Sequence, residues 1–155
     1  MPMGLNGNIH ERELRAFIEA TVHFFGHTTG TPPNIGTPFL RDSEEEFYTY
    51  TGVIGISGER RGCVYFSAEP EMLREILRAE GEPDLSHDAL CDLVGEIANT
   101  ISGNVRRELG NRFMIAVPVV LEGKPERLRL PEQVRAYVIP VEWRGHRSLL
   151  IIALE

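Results

Sequence analysis

The stretch DLVGEIANTISGNVRRELG, residues 92–110, combines a helical pattern with two internal glycines, Gly95 and Gly103. A helix turns by about 100° per residue, so apolar residues that recur every three or four positions mark one side. That side carries Leu90, Leu93, Val94, Ile97, Ile101 and Val105. The stretch therefore predicts a long amphipathic helix that is capped by Ser86, ends at Gly110 and packs on a sheet.

The opposite side of this helix carries a polar row. Asp92, Glu96, Asn99, Gly103 and Arg107 follow one another at i, i+4, i+7, i+11 and i+15. Any surface helix shows polar residues opposite an apolar stripe, so the spacing alone is equally typical of a solvated face. Gly103 adds a reason for interest, because an exposed glycine costs a helix roughly 1 kcal/mol. It also leaves bare backbone that another molecule can approach closely.

Two shorter helices are indicated before this one. Residues 9–25 place apolar side chains at helical spacing, and Gly26 is the expected stop. The next helix begins at Pro70, because proline suits the first helical turn. Ser67 is its expected cap and Gly81 its expected end.

The strands are expected mainly in two hairpins. Residues 47–68 place two apolar runs around SGERRG, and the chain closes with VRAYVIPVEW and SLLIIALE around RGHR. Between them, FMIAVPVVLEG predicts a strand whose Pro118 requires an edge, a bulge or a strand end, since proline cannot donate to a sheet ladder. The order α-β-β-α-α-β-β-β favours an α+β fold, with a largely antiparallel sheet packed against helices.

Two polar connections complete the chain, for which a single domain over residues 1–155 is expected. Residues 26–46 hold no helical or strand period and are either disordered or a first irregular edge strand. Residues 122–133 are expected to form a polar loop with two prolines.

Composition argues against several classes of function. The net charge of −7 is unsuited to a nucleic-acid scaffold, which needs a basic stripe. No apolar run is long enough to span a membrane and no secretory signal opens the chain, so a cytoplasmic location is expected. Cys63 and Cys91 lie far apart in apolar patterns and the histidines show no ligand spacing, so two buried, reduced cysteines and no metal site are expected.

The spacing Asp92-x3-Glu96-x2-Asn99-x3-Gly103 resembles the motif of the CheC/CheX/FliY phosphatases of bacterial chemotaxis. GVIGISGERRGCVYFSA resembles the glycine-punctuated hairpin of that family, and the other elements occur in the same order. The resemblance therefore covers nearly the whole chain, and the single copy of Glu-x2-Asn is closest to CheX. The family motif ends in a more distant proline than Pro118, which has 18 residues between it and Asn99. Pro118 is therefore treated as structural.

This resemblance implies a hydrolase that removes phosphate from a phosphorylated CheY-like response regulator, with no covalent intermediate on this chain. The receiver domain would hold the Mg²⁺, and this chain would need no cofactor. Asn99 would position the attacking water without adding negative charge beside the phosphate, and Glu96 would pair with a receiver cation such as its active-site lysine. Asp92, Gly103 and Arg107 would contact the partner.

The family also implies a homodimer, for which the closing strand LLIIAL is expected to offer a sheet edge. Two other functions remain open. One is a non-catalytic adaptor that binds a receiver or another signalling protein through the same helix, although the intact Glu96 and Asn99 argue against it. The other is a ligand-sensing module, for which the sequence specifies no pocket.

Overall fold

The computed structural model describes residues 9–41, 47–110, 112–123 and 136–155. These ranges contain the helices α1 (Glu11–Thr29), α2 (Pro70–Ala79) and α3 (His87–Leu109). They also contain the strands β1 (Asn34–Ile35), β2 (Phe39–Leu40), β3 (Tyr50–Gly58), β4 (Gly62–Ala68), β5 (Phe113–Ile115), β6 (Val119–Glu122), β7 (Ala136–Trp143) and β8 (His146–Leu154). Most of the predicted polar loop and residues 42–46 of the first connection lie outside the described residues. The prediction of a single domain includes them and stays a prediction.

These eight strands form one antiparallel sheet in the order β1-β7-β8-β4-β3-β5. β2 pairs with β7 on the side of β1, and β6 pairs with β3 on the side of β5. The predicted α+β fold is therefore confirmed, and the two predicted hairpins are β3–β4 and β7–β8. Arg144 and Gly145 connect β7 to β8 with φ of 48° and 80°, as a two-residue type I′ turn requires. The described part of the first connection contributes β1 and β2 to one edge.

The closing strand β8 lies in the interior of the sheet, between β4 and β7. Ile151 and Ile152 point to opposite faces, and both side chains are fully buried. The apolar run LLIIAL thus reflects burial on both faces. The prediction that this strand offers an edge to a second copy is wrong, because its hydrogen-bonding groups already pair with both neighbours.

The helices cover one face of the sheet, and α3 approaches β3 most closely at Gly52. A Cβ atom at Gly52 would lie 2.3 Å from the carbonyl oxygen of Val94, so a larger residue would require the helix to move. One residue further along α3, a Cβ atom at Gly95 would lie 3.2 Å from Cγ2 of Val120 and 3.6 Å from Cβ of Pro118. Close packing against the sheet edge explains this second glycine. The largest side chains that are fully buried include Trp143, Phe17, Phe25, Phe66, Met72 and Ile97.

Pro118 lies between β5 and β6, which both pair with β3 at the edge of the sheet. Ile115 is the partner of Ile56, and Val119 is the partner of Val53. Three residues, 116–118, thus face two residues, 54–55, which is a one-residue bulge. The predicted edge position and bulge are both confirmed, and they divide the single predicted strand into two.

The first helix runs one turn further than predicted. Gly26 lies inside α1, and the helix ends at Gly30, whose φ of 78° is left-handed. The N–H of Gly30 donates to the carbonyl oxygen of Gly26 at 3.0 Å. Gly26 has helical backbone, so the stop requires the left-handed conformation that Gly30 adopts.

Of the caps predicted for the other two helices, the one for α2 is wrong and the one for α3 is confirmed. Ser67 does not cap α2, because it belongs to β4, where its hydroxyl accepts from the N–H of Tyr48 at 2.7 Å. Glu69 occupies the N-cap position of α2 instead. Ser86 does cap α3, accepting from the N–H of Ala89 at 3.3 Å, and Gly110 follows the helix with φ of 94°. No helix in the described ranges combines the length and apolarity that a membrane crossing requires.

Candidate functional site

The exposed face of α3 carries the predicted site residues. Asp92, Glu96, Asn99 and Arg107 are exposed, and Gly103 is half-buried. None of the four side chains forms a hydrogen bond or an ion pair with another described residue. Arg107 lies eight residues beyond Asn99, which corresponds to about 12 Å along the helix, so it is at the margin of the row. As far as the described residues extend, these groups are available to contact a partner.

Asn99 emerges from α3 between two points of contact with the sheet edge. Gly95 lies one turn before it and Gly103 one turn after it on the same row of the helix. The Cβ position of Gly95 is 3.6 Å from Pro118, and that of Gly103 is 3.9 Å from Cδ1 of Ile115. Asn99 therefore emerges from the part of α3 that packs near the bulge of the edge strand.

Exposed apolar side chains follow this edge, and we call Met114, Val117 and Val119 the apolar edge. Their exposed fractions are 53%, 84% and 58%. Ile115 and Val120 contact α3, so their strand neighbours Met114 and Val119 point to the opposite face of the sheet, away from the polar row. Sequence analysis missed this feature, although the edge position implied by Pro118 was an available signal.

An acidic cavity of about 280 Å³ adjoins the polar row on the side of α2. It is lined by Leu77, Glu80, Glu82, Asp84, Ala89, Asp92, Leu93 and Glu96, with no lysine or arginine among these described residues. Burial, followed by the nearby charges of Glu96 and Glu82, raises the pKa of Glu80. This concentration of carboxylates suits a positively charged group of a partner.

A different cluster lies where the first turns of α3 meet β6. His87 and Cys91 are one helical turn apart, and Glu122 reaches them from the strand. Nε2 of His87 is 2.9 Å from Oε1 of Glu122, and the Cys91 thiol donates to the same oxygen at 3.3 Å. The hydroxyl of Tyr50 is 2.7 Å from Nδ1 of His87. The prediction that no histidine has ligand spacing is therefore wrong for His87.

The protonation of this cluster follows from its surroundings. Burial, followed by the hydrogen bond and the charge of Glu122, raises the pKa of the Cys91 thiol to about 11. Hydrogen bonds from Cys91 and His87 lower the pKa of Glu122. Cys63 and Cys91 are both free, and both are half-buried rather than fully buried as predicted. The cluster was not predictable from the sequence, because Glu122 lies far from His87 and Cys91 along the chain.

Comparison with a protein family gives a match over most of the described core. The family described as chemotaxis phosphatase CheX matches residues 50–142. This segment runs from β3 into β7 and includes the whole polar row of α3. A search among curated proteins finds no match to the sequence.

Several solved structures share the fold over nearly their whole length. A CheC-like superfamily protein from Shewanella sp. PV-4 is 21% identical with a TM-score of 0.81, covering 95% of this chain and 99% of that one. CheX from Desulfovibrio desulfuricans is 23% identical with a TM-score of 0.81, covering 92% and 99%. The CheX–CheY–BeF3–Mg²⁺ complex from Borrelia burgdorferi matches at 17% identity with a TM-score of 0.76, covering 92% and 97%.

Proposed function

Because this chain belongs to the family of the chemotaxis phosphatase CheX, we propose that it dephosphorylates the phosphoaspartate of a CheY-like receiver domain. The exposed pair Glu96 and Asn99 carries this proposal, since neither side chain has a structural partner among the described residues. The solved complex of a related CheX with CheY supports the choice of partner.

Asn99 is the residue proposed to act on the reaction itself. A phosphoryl group transferred to water requires positioning and charge stabilisation, while the protein need form no covalent bond. The carboxamide oxygen of Asn99 would accept a hydrogen bond from the water and hold it in line with the scissile phosphorus–oxygen bond. Because the carboxamide is neutral, it would not repel the phosphoryl oxygens. The receiver would supply the Mg²⁺, so this chain needs no cofactor of its own.

Glu96 is proposed to anchor the receiver through a cation such as its active-site lysine. The acidic cavity supports this role, because Glu80 and Asp92 add negative charge beside Glu96. Residues three apart on a helix are separated by about 5–6 Å between their Cβ atoms. A lysine bound to Glu96 would therefore bring the neighbouring phosphoryl group to the reach of Asn99.

The partner surface is proposed to extend along α3 in both directions. Asp92 would contribute charge at the acidic cavity, and Gly103 would let the receiver approach the helix backbone. Arg107 would contact the receiver at the margin.

The test of this function is phosphate release from a phosphorylated cognate receiver with Mg²⁺ present. We expect the protein at substoichiometric concentration to accelerate release over the receiver alone. Unchanged release together with measurable binding would overturn the proposal and favour the adaptor role. Unchanged release without binding would overturn it as well.

The biological setting follows from the same proposal. We propose a cytoplasmic location, because that is where receiver domains of two-component pathways act. We also propose a homodimer, which the family resemblance supports. Among the described strands β8 is internal, so a second copy that extended this part of the sheet would pair with the edge formed by β1 and β2 or the edge formed by β5 and β6.

A further inference from the structure

We propose that His87, Cys91 and Glu122 form a binding site for a thiophilic divalent cation of the Zn²⁺ class. This site is separate from the phosphatase pair Glu96–Asn99, and the inference does not rest on the proposed function. Imidazole nitrogen, thiolate sulfur and carboxylate oxygen are the three ligand types that zinc accepts in proteins.

The separations between the three ligand atoms match what a tetrahedral zinc ion requires. Zinc bonds of about 2.3 Å to sulfur and about 2.0–2.2 Å to nitrogen or oxygen, at tetrahedral angles, place the ligand atoms roughly 3.4–3.6 Å apart. The observed separations are 3.7 Å from Sγ of Cys91 to Nε2 of His87 and 3.3 Å from Sγ to Oε1 of Glu122. The third, from Nε2 to Oε1, is 2.9 Å. A shift of about half an ångström in one exposed side chain would complete the geometry.

Tyr50 provides the supporting contact that metal-binding histidines generally have. Its hydroxyl lies 2.7 Å from Nδ1 of His87. When Nδ1 donates its hydrogen to this oxygen, Nε2 carries the lone pair and faces the other two ligands. Tyr50 is buried in β3 and is the cross-strand partner of Glu122, so the same pairing orients two ligands.

The ligands come from rigid elements rather than from loops. His87 and Cys91 occupy the first two turns of α3, and the ladder between β6 and β3 holds Glu122. Just beyond Glu122, the N–H of Gly123 donates to the carbonyl oxygen of Thr49 at 2.7 Å. Metal binding would therefore require little further ordering of the three ligand side chains.

The local charge favours a cation. Asp88 and Asp92 carry negative charges close enough to act on the Cys91 thiol, in addition to Glu122. Arg74 is the described positive charge that interacts electrostatically with Tyr50, and it forms an ion pair with Glu71. The side chains of His87 and Glu122 are each 53% exposed, so the fourth coordination position is open to water. Three protein ligands and an open position define a site that binds and exchanges a metal, rather than a closed structural site.

The test is a titration of the purified, chelator-treated protein with Co²⁺, which is a spectroscopic substitute for zinc. We expect one equivalent to produce the near-ultraviolet charge-transfer absorption of a cobalt–thiolate bond, and Zn²⁺ to displace it. His87→Ala and Cys91→Ala are each expected to abolish this absorption. Tyr50→Phe is expected to weaken affinity by about 10-fold or more, since it removes the contact that orients His87.

Two controls isolate this site from others on the chain. Cys63→Ala removes the other cysteine, which lies in β4, and is expected to leave the cobalt absorption unchanged. His23 and His27 stack on α1 and form an i, i+4 pair that can bind metal weakly. The titrations are therefore made in a His27→Ala background. Far-ultraviolet circular dichroism checks that each variant is folded.

The proposal is overturned by either of two results. One is a folded wild-type protein that shows no thiolate absorption with Co²⁺ and no retention of Zn²⁺ on dialysis. The other is thiolate absorption that Cys91→Ala keeps and Cys63→Ala loses, which would assign the metal to a different cysteine.

Discussion

Glu96 and Asn99 leave α3 one turn apart, and they face different surroundings. Glu96 borders the acidic cavity together with Glu80 and Asp92. Asn99 emerges between Gly95 and Gly103, which pack against Pro118 and Ile115 at the edge of the sheet. This difference assigns them different parts of the proposed reaction. Glu96 is proposed to act on binding through its charge, and Asn99 is proposed to act on the chemical step through a hydrogen bond.

Replacement of Glu96 by glutamine is expected to raise KM about 10-fold with a smaller change in kcat. A hydrogen bond to a charged group contributes about 1.5–3 kcal/mol, and an interaction equal in ground and transition states appears in KM. The rise is expected to shrink as salt is added, because salt screens the charge that glutamine lacks. Steady-state dephosphorylation at several salt concentrations measures both effects.

Glu108 supplies the matched control for this change. It is an exposed carboxylate on α3 outside the polar row, so Glu108→Gln is expected to leave KM unchanged. A fall in kcat at constant KM in Glu96→Gln would contradict the anchoring role and place Glu96 in the chemical step.

Substitution of Gly103 is expected to affect the stability of the fold and the binding of the receiver in opposite ways. A Cβ atom there would meet only Cδ1 of Ile115 at 3.9 Å, an ordinary contact. Gly103→Ala is therefore expected to raise the free energy of unfolding by about 0.5–1 kcal/mol, through helix propensity. The same methyl group is expected to raise KM for the receiver, because it occupies the surface that the partner approaches. Urea unfolding and steady-state kinetics measure the two effects.

Gly26 in α1 is the control for Gly103, since its Cβ position has no neighbour within 4 Å. Gly26→Ala is expected to stabilise the protein similarly and to leave KM unchanged. If Gly103→Ala also leaves KM unchanged, the receiver does not approach the backbone at this glycine.

The contact between α3 and β3 is the packing that positions the site. Gly52 lies directly beneath Val94, and α3 carries Glu96 and Asn99 on its outer side. Gly52→Ala is expected to destabilise the fold by about 3 kcal/mol or more, because backbone rather than a flexible side chain opposes the added atom. The midpoint of urea unfolding measures this loss.

Gly55 lies on the same strand and provides the comparison. Its Cβ position is 3.6 Å from Cβ of Ala116, which is ordinary contact. Gly55→Ala is expected to shift the free energy of unfolding by less than about 1 kcal/mol. Equal destabilisation by the two substitutions would contradict the close approach of α3 to β3.

Elements with strong local signals were predictable from the sequence. The 3.6-residue period and the Ser86 cap predicted α3, and the Gly-containing turns predicted both hairpins. Pro118 predicted the bulged edge. The lateral order of strands depends on contacts between distant residues, so the internal position of β8 was not predictable from its apolar run. The length of α1 was underestimated because Gly26 keeps helical backbone and the left-handed stop occurs at Gly30.

The whole sheet determines what surrounds the polar row. The row itself was predictable, because its members share one helix. Its neighbours are not local: Glu80 follows α2, and Ile115, Pro118 and Val120 come from β5, β6 and the bulge between them. The cluster of His87, Cys91 and Glu122 was missed for this reason, since it forms only when β6 pairs with β3 beside α3.

Oligomeric state is a property of the whole molecule and is tested separately. Light scattering at micromolar concentration is expected to give twice the 17.4 kDa mass of the chain. A monomer at every concentration tested would contradict the proposed homodimer. It would leave the phosphatase assignment in place, because the polar row of α3 belongs to one chain.

The most direct test of the central claim compares phosphate release from a phosphorylated receiver by wild-type protein, Asn99→Ala and Asn104→Ala. Asn104 is a half-buried asparagine of the same helix outside the polar row. Because a misplaced water costs on the order of 100-fold in rate, Asn99→Ala is expected to lose at least that factor in kcat. It should still bind the receiver, and Asn104→Ala should keep the wild-type rate. Full activity in a folded Asn99→Ala variant would contradict the account.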